Sequence, residues 1–332
     1  MAAAELLNAN GNLGPALLAP GAMAGVNAVL DQFLHLGIKG VTVEICFPML
    51  LPSFPNSLGY LSFYAQVAAA VRQRHMILAV EENPAFPGFT SLETDYSGLT
   101  LQGYATQQAA EAQLIIDDLQ PTYLTLLDET DTFAAHLKLP LNNPTNATAV
   151  LNAELFAIKR GQTKLGAGTG TWEGPTIDQS LLTNTSIDYL SVHVYPVDSQ
   201  SLDNLDAIVA AAAAAHRPVV MDETWLYKQQ APGIAAGAAF EQTSTLDNYS
   251  FFAPLDQAFL QAMFVYARSH GVAYISPFWT GFFFAYLKWA PELDSQAPSA
   301  IRAQGSGAWS MAVRDGQFST TGEAYGRLAA LK

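Results

Sequence analysis

Pro218-Val219-Val220-Met221-Asp222-Glu223-Thr224-Trp225 is a short apolar run that ends in two carboxylates and an indole. A run of this length, opened by proline and rich in β-branched residues, reads as a buried strand that delivers its acids at its C-terminal end. The pattern occurs upstream as Tyr123-Leu124-Thr125-Leu126-Leu127-Asp128-Glu129-Thr130. Two strands that each finish in Asp-Glu-Thr suit chemistry that needs a pair of carboxylates, provided the fold brings the two ends together.

Working outward from these stretches, apolar runs alternate with segments of helical spacing. Strand-like runs are Gly40–Phe47, Met76–Glu81, the run ending at Glu129, Thr163–Gly168, Ile187–Tyr195, the run ending at Glu223 and Val272–Trp279. Helical patterns precede each of them, as in Ala22–Leu36, where Val26, Val29, Leu30, Phe33 and Leu34 recur at helix spacing. The strands are apolar throughout, as a parallel sheet covered on both faces requires. Seven such units, with no glycine-rich dinucleotide fingerprint after the first, predict a closed (β/α)8 TIM barrel in one domain spanning 1–332. The first strand is weak: residues 1–20 are small and turn-rich, so the eighth strand lies unseen there or with a removed N-terminal segment. Segments 226–254 and 280–315 read as loops.

Composition narrows the partners. The chain has 332 residues, 15 Lys plus Arg against 29 Asp plus Glu, and a formal charge of −14. So few basic residues exclude a nucleic-acid surface or an anionic membrane partner, and a neutral substrate fits better. The single cysteine, Cys46, rules out an intramolecular disulfide and reads as a buried thiol. No stretch has the apolar length of a membrane span, and the N-terminus has no secretion signal, so the expectation is a secreted or periplasmic protein whose leader has been removed, or else a cytoplasmic one.

A barrel of this kind works at the C-terminal ends of its strands. The polar residues gathered there are Glu44, Glu81, Glu82, Asn83, Asp128, Glu129, Thr169, Thr171, Trp172, His193, Tyr195, Asp222, Glu223, Trp225 and Trp279. Charged residues make up 13% of the chain, so this concentration of acids is not a compositional accident. Period-two alternation sets Glu223 and Trp225 on one face of their strand and Asp222 and Thr224 on the other, and gives His193 and Tyr195 a common face. One member of each Asp-Glu pair is therefore expected to face the site, with the glutamates inward and Asp222 a brace. His35, His75, His216 and His270 fall at helix ends before strands and read as caps, whereas His193 ends a strand. Phe282, Phe283, Phe284 and Tyr286 read as packing, while Trp172, Trp225 and Trp279 are expected to line a cleft, since flat indoles stack on sugar faces.

With these residues in place, the chain resembles the retaining glycosidases of clan A, which include cellulases, β-mannanases, β-galactosidases and arabinogalactanases. The resemblance rests on a glutamate ending strand four (Glu129), a second ending strand seven (Glu223), His193-x-Tyr195 on strand six and Trp279 ending strand eight. It implies Glu129 as general acid/base, Glu223 as nucleophile, His193 and Tyr195 in contact with the sugar or the nucleophile, and Trp279 as the floor of a subsite. Glu44, Glu82, Asn83, Asp128, Trp172 and Trp225 complete the expected substrate-binding set. Clan members usually carry Asn before the acid/base, where it binds the sugar 2-hydroxyl; here the residue is Asp128.

The expected reaction is hydrolysis of a β-linked oligo- or polysaccharide by double displacement, with no cofactor and no metal. Two other readings remain open: a divalent-metal-dependent sugar isomerase or epimerase, for which Glu44, Glu81, Asp128, Glu129, His193, Asp222 and Glu223 supply ligands, and a catalytically silent carbohydrate-binding barrel.

Overall fold

In a computed structural model the described residues are 1–7, 14–85, 94–228, 245–293 and 295–331. Eight parallel strands form one sheet in sequence order: β1 Ala3–Leu7, β2 Gly40–Phe47, β3 Ile77–Pro84, β4 Tyr123–Leu127, β5 Lys164–Gly170, β6 Tyr189–Val194, β7 Val219–Thr224 and β8 Ile275–Pro277. Ala2 bridges to Ile275, and the Ile275 N–H donates to Met1 O at 3.1 Å, so the first and last strands meet and close the sheet into a (β/α)8 barrel. The helices are α1 Ala22–His35, α2 Ser57–Gln73, α3 Leu101–Leu114, α4 Thr130–Leu137, α5 Pro144–Ala157, α6 Thr176–Asn184, α7 Ser201–Ala214, α8 Ala253–Ser269, α9 Pro298–Asp315 and α10 Thr320–Ala329. None among the described residues is long and apolar enough to cross a membrane.

The missing strand is Ala3-Ala4-Glu5-Leu6-Leu7, inside the weak stretch 1–20 that was one of its two expected places. Alanine has little β preference, which hides it. Its small side chains make sense once the neighbours are known: Ala3 packs with Ala79, Val220 and the rings of Tyr189 and Tyr274 at the barrel floor. Gly166 on β5 serves the same packing, because a Cβ there would lie 2.1 Å from the Tyr189 ring. A second difference lies in 280–315, expected as loop, where α9 forms. Of the other expected loop, 229–244 lies outside the described residues.

Outside the barrel wall, the strands pack against the helices through a continuous apolar layer that includes Val41, Val43, Ile45, Leu124, Leu126, Val192 and Val194. Cys46 is buried, as expected, and Phe282, Phe283 and Phe284 belong to the same apolar cluster. One acidic group interrupts this layer. Glu82 of β3, Glu111 of α3 and Glu154 of α5 are fully buried, and Glu111 accepts the Leu50 N–H at 2.7 Å. Burial pushes Glu111 from 4.5 up to about 8, against the pull of the Leu50 hydrogen bond.

A raised carboxylate pKa makes the fold weaker as pH rises. The unfolded chain releases the Glu111 proton near 4.5 while the folded chain holds it until about 8, so stability falls across that window and is level above it. Glu111→Gln keeps an acceptor for Leu50 and removes the ionisation. The thermal midpoint of this variant, measured against the parent protein, should gain between pH 4.5 and 8 and then level off; a difference independent of pH would contradict the assignment.

Candidate active site

Two register shifts decide which acids face the barrel interior. Between β6 and β7, Ser191 pairs with Val220 and His193 with Glu223, so two steps on one strand match three on the other. The extra residue of such a bulge breaks the alternation. Val220 faces the floor, Asp222 lies above it, and Glu223 is turned to the same side instead of the opposite one. Asp222 is therefore an interior residue, contrary to the expected division of the pair. Its Oδ1 accepts from Ser191 Oγ at 2.6 Å and its Oδ2 from Thr125 Oγ1 at 2.9 Å. A matching shift between Thr125 and Leu127, opposite Gly166 and Ala167, precedes Asp128 and Glu129.

His193 stands between the two strand ends. Its Nδ1 lies 3.0 Å from Glu129 Oε1 and 3.4 Å from Glu223 Oε2. One ligand atom from each of Glu129, His193 and Glu223 falls within 4.8 Å of the others, so the two carboxylates that sequence pairing singled out do converge. Glu129 also accepts from Thr132 Oγ1 at 2.8 Å, and Glu223 Oε2 accepts from the Tyr195 hydroxyl at 2.7 Å. Exposure is graded: the side chain of Glu129 is 17% exposed, that of Glu223 7%, and those of Glu81 and Asp222 not at all.

Burial governs the electrostatics. It holds Glu223 well above the usual carboxylate range; Glu44 and Glu129 push the same way, while His193 and the Tyr195 hydroxyl oppose them. Burial alone would lower the His193 imidazole, but Glu223, Asp128 and Glu129 outweigh it and hold it well above its ordinary value. Asp128 is likewise held well above its usual range by burial, against His193 and with Glu129, Glu223 and Asp222.

The remaining expected site residues divide. Asn83 Nδ2 donates to Glu44 Oε2 at 3.0 Å, on the inner face of β2 and β3. Trp172 folds over Gly170, where a Cβ would meet its ring at 2.3 Å, and its Nε1 donates to Asp131 Oδ2 at 3.0 Å. The Tyr195 ring lies 6.0 Å from that of Trp172 and stacks on Tyr227 at 5.0 Å, and the Tyr227 hydroxyl interacts with Trp279. Trp172, Tyr195, Tyr227 and Trp279 thus form one aromatic wall. Glu82 does not join the site: β3 pairs with β2 without a shift, so Glu81 and Asn83 share the inner face and Glu82 turns outward toward Glu111 and Glu154. Trp225 is also elsewhere. It is fully buried, stacked on Phe282 at 5.7 Å with Lys228 Nζ 4.9 Å from its ring.

Three contributors escaped the sequence reading. Glu5 of β1 is buried among the interior acids, with Glu44, Glu223 and Asp222 as charged neighbours. Tyr227 follows the Glu223 strand and backs Tyr195. Glu173 supports the chain just beyond Glu129: its Oε1 accepts the Thr130 and Gly170 N–H groups at 3.0 Å each and its Oε2 accepts the Asp131 N–H at 2.9 Å and the Thr130 hydroxyl. The Thr130 and Asp131 N–H groups are unsatisfied donors at the start of α4, so Glu173 caps the helix that begins one residue after Glu129. Only an acid close after a strand end, Thr171-Trp172-Glu173, hinted at it.

No protein-family model and no curated protein sequence matches the chain. Solved structures do. An exo-β-1,4-mannosidase from an Opitutaceae bacterium superposes with a TM-score of 0.62 at 16% identity, over 99% of this chain and 58% of its own. The GH5_18 protein of Bifidobacterium longum, in complex with Manβ1-4GlcNAc, gives 0.64 at 14% identity over 99% of this chain and 78% of its own. A fungal β-1,4-galactanase gives 0.51 at 14% identity over 82% and 88%. At these identities the likeness is one of fold, the (β/α)8 barrel, and the chain spans little more than half the length of the mannosidase.

Removing the Glu173 cap should be felt at Glu129. Glu173→Ala is expected to cost about 1–2 kcal/mol of stability, the usual loss for a helix cap, and to lower any activity that depends on Glu129. Unchanged thermal unfolding would show that the cap carries no weight.

Proposed function

We propose that the protein is a retaining glycoside hydrolase acting on a β-linked oligo- or polysaccharide, with Glu223 as nucleophile and Glu129 as general acid/base. The observation that supports this most strongly is the convergence of the two carboxylates on His193, with ligand atoms of all three within 4.8 Å. Retaining enzymes hold their carboxyls about 5 Å apart, whereas inverting enzymes leave roughly 6.5–9.5 Å for a water.

In this reading one Glu223 oxygen attacks the anomeric carbon as the glycosidic bond breaks, and Glu129 gives its proton to the departing oxygen. Glu129 then takes a proton from water, which displaces Glu223 and restores both groups. The Tyr195 hydroxyl occupies Glu223 Oε2 and leaves Oε1 for the attack. His193 sets Nδ1 between the two carboxylates, 3.0 Å from Glu129 Oε1 and 3.4 Å from Glu223 Oε2, where an N–H on that nitrogen orients the pair. The aromatic wall offers flat faces to sugar rings. Asp128 stands where the clan places an amide; burial favours its protonated form, and in that form it can donate one hydrogen bond to a 2-hydroxyl as an amide would. The structural neighbours named for mannosides and galactans make β-1,4-linked hexosides the first substrates to assay.

Glu129→Gln and Glu223→Gln should each lower hydrolysis of aryl β-glycosides and β-1,4-glycans by several orders of magnitude while the thermal unfolding stays cooperative. Near-parental turnover in either would overturn the roles. The first-formed sugar, followed by proton NMR, should keep the β configuration; an α product would indicate inversion.

A further inference from the structure

Beneath the proposed reacting pair lies a group of acids that hydrolysis does not use. Glu81 is completely buried and neither of its oxygens has a hydrogen-bond partner; the same holds for Glu5. Facing Glu81 is the second nitrogen of His193, Nε2, which is buried and makes no hydrogen bond. It lies 3.9 Å from Glu81 Oε2 and 3.8 Å from Asp222 Oδ1, too far to hydrogen-bond either. With Nδ1 donating to Glu129, a neutral imidazole would turn the Nε2 lone pair toward two carboxylates. Three acceptors facing one another at these distances repel unless a positive centre sits among them.

We propose that Glu81, Asp222 and His193 Nε2 form a site for one divalent first-row cation of the Mn2+ or Zn2+ kind, set below Glu129 and Glu223. One ligand atom of each lies within 4.8 Å of the others. Ligand atoms bound at roughly 2.0–2.2 Å stand about 3–4.3 Å apart around such an ion, so small side-chain adjustments close the site. One imidazole with two carboxylates matches the mixed N/O preference of these ions better than the all-oxygen sets of Ca2+ and Mg2+. Two carboxylates and a neutral imidazole also balance the charge of the ion. Asp222 is already oriented by Ser191 and Thr125, and His193 by Glu129, as the outer partners of metal ligands commonly are. The ion would fix the proton on Nδ1, the nitrogen that meets the proposed acid/base. This goes beyond the glycosidase reading and departs from the expectation of no metal.

The test is Mn2+ binding to the full chain after chelator dialysis, followed by the loss of the free-ion electron paramagnetic resonance signal. The parent protein should take up one Mn2+ per chain, show 14N echo modulation from an imidazole ligand, and gain thermal stability. Glu81→Gln should abolish uptake, whereas Glu82→Gln, one residue away on the outer face of β3, should retain it. No uptake by the parent protein, no nitrogen coupling on the bound ion, or an equal response of the two variants would each overturn the site. If Glu81→Gln does not fold, the stoichiometry and nitrogen coupling of the parent protein decide alone. Neither readout involves a sugar, so failure here leaves the hydrolase reading standing, and absence of hydrolysis leaves this site standing.

Discussion

The contact on which the rest of the site depends is the pairing of His193 Nδ1 with Glu129 and Glu223, at 3.0 and 3.4 Å. It joins the ends of strands four, six and seven through one side chain. A barrel interior holding Glu5, Glu44, Glu81, Asp128, Asp222 and Glu223 has a severe charge problem, because none of these acids reaches appreciable solvent. Only protons, His193 or a bound cation can answer it. The protein answers part of it with hydroxyls: Thr125 and Ser191 on Asp222, Tyr195 on Glu223, and an amide, Asn83, on Glu44. What these leave over lies at Glu5, Glu81 and Asp128, whose carboxyl oxygens are buried without a hydrogen-bond partner.

The backbone makes this concentration possible. A regular strand would send alternate residues to opposite faces, and an Asp-Glu pair would be split between barrel and helices. The register shift between β6 and β7 turns Glu223 to the side that Asp222 already faces. The two acids then occupy different depths, with Asp222 locked by hydroxyls and Glu223 above it against Tyr195. On the β4 side, Glu173 secures the first turn of α4 and thereby the peptide that carries Glu129. The aromatic wall of Trp172, Tyr195, Tyr227 and Trp279 completes the approach, so the same strand ends supply both the acids and the surface that would receive a ring.

Much of this was legible in the chain. Apolar runs separated by helical spacing establish a parallel barrel, and acids at the ends of two such runs single out Glu129 and Glu223, which the fold brings together. What escaped has physical reasons. The first strand is alanine-rich because it faces tyrosine rings across the floor, a tertiary fact that leaves no local β signal. The orientation of Asp222 depends on a bulge, which arises from pairing with a neighbouring strand and not from the residues of β7 alone. Trp225, downstream of the same bulge, goes to the Phe282 packing instead of the cleft. Glu82 differs, since plain alternation on β3 already separates it from Glu81 and Asn83, and treating the three as one group obscured that.

The most direct measurement is the mass of a trapped intermediate. The protein would be incubated with 2-deoxy-2-fluoro-β-glycosides bearing a dinitrophenyl leaving group, matched to whichever sugar the aryl glycosides show to be hydrolysed. The account predicts one glycosyl unit per chain, held on the peptide that contains Glu223. An adduct on another residue, or hydrolysis with inversion and no adduct, would contradict it.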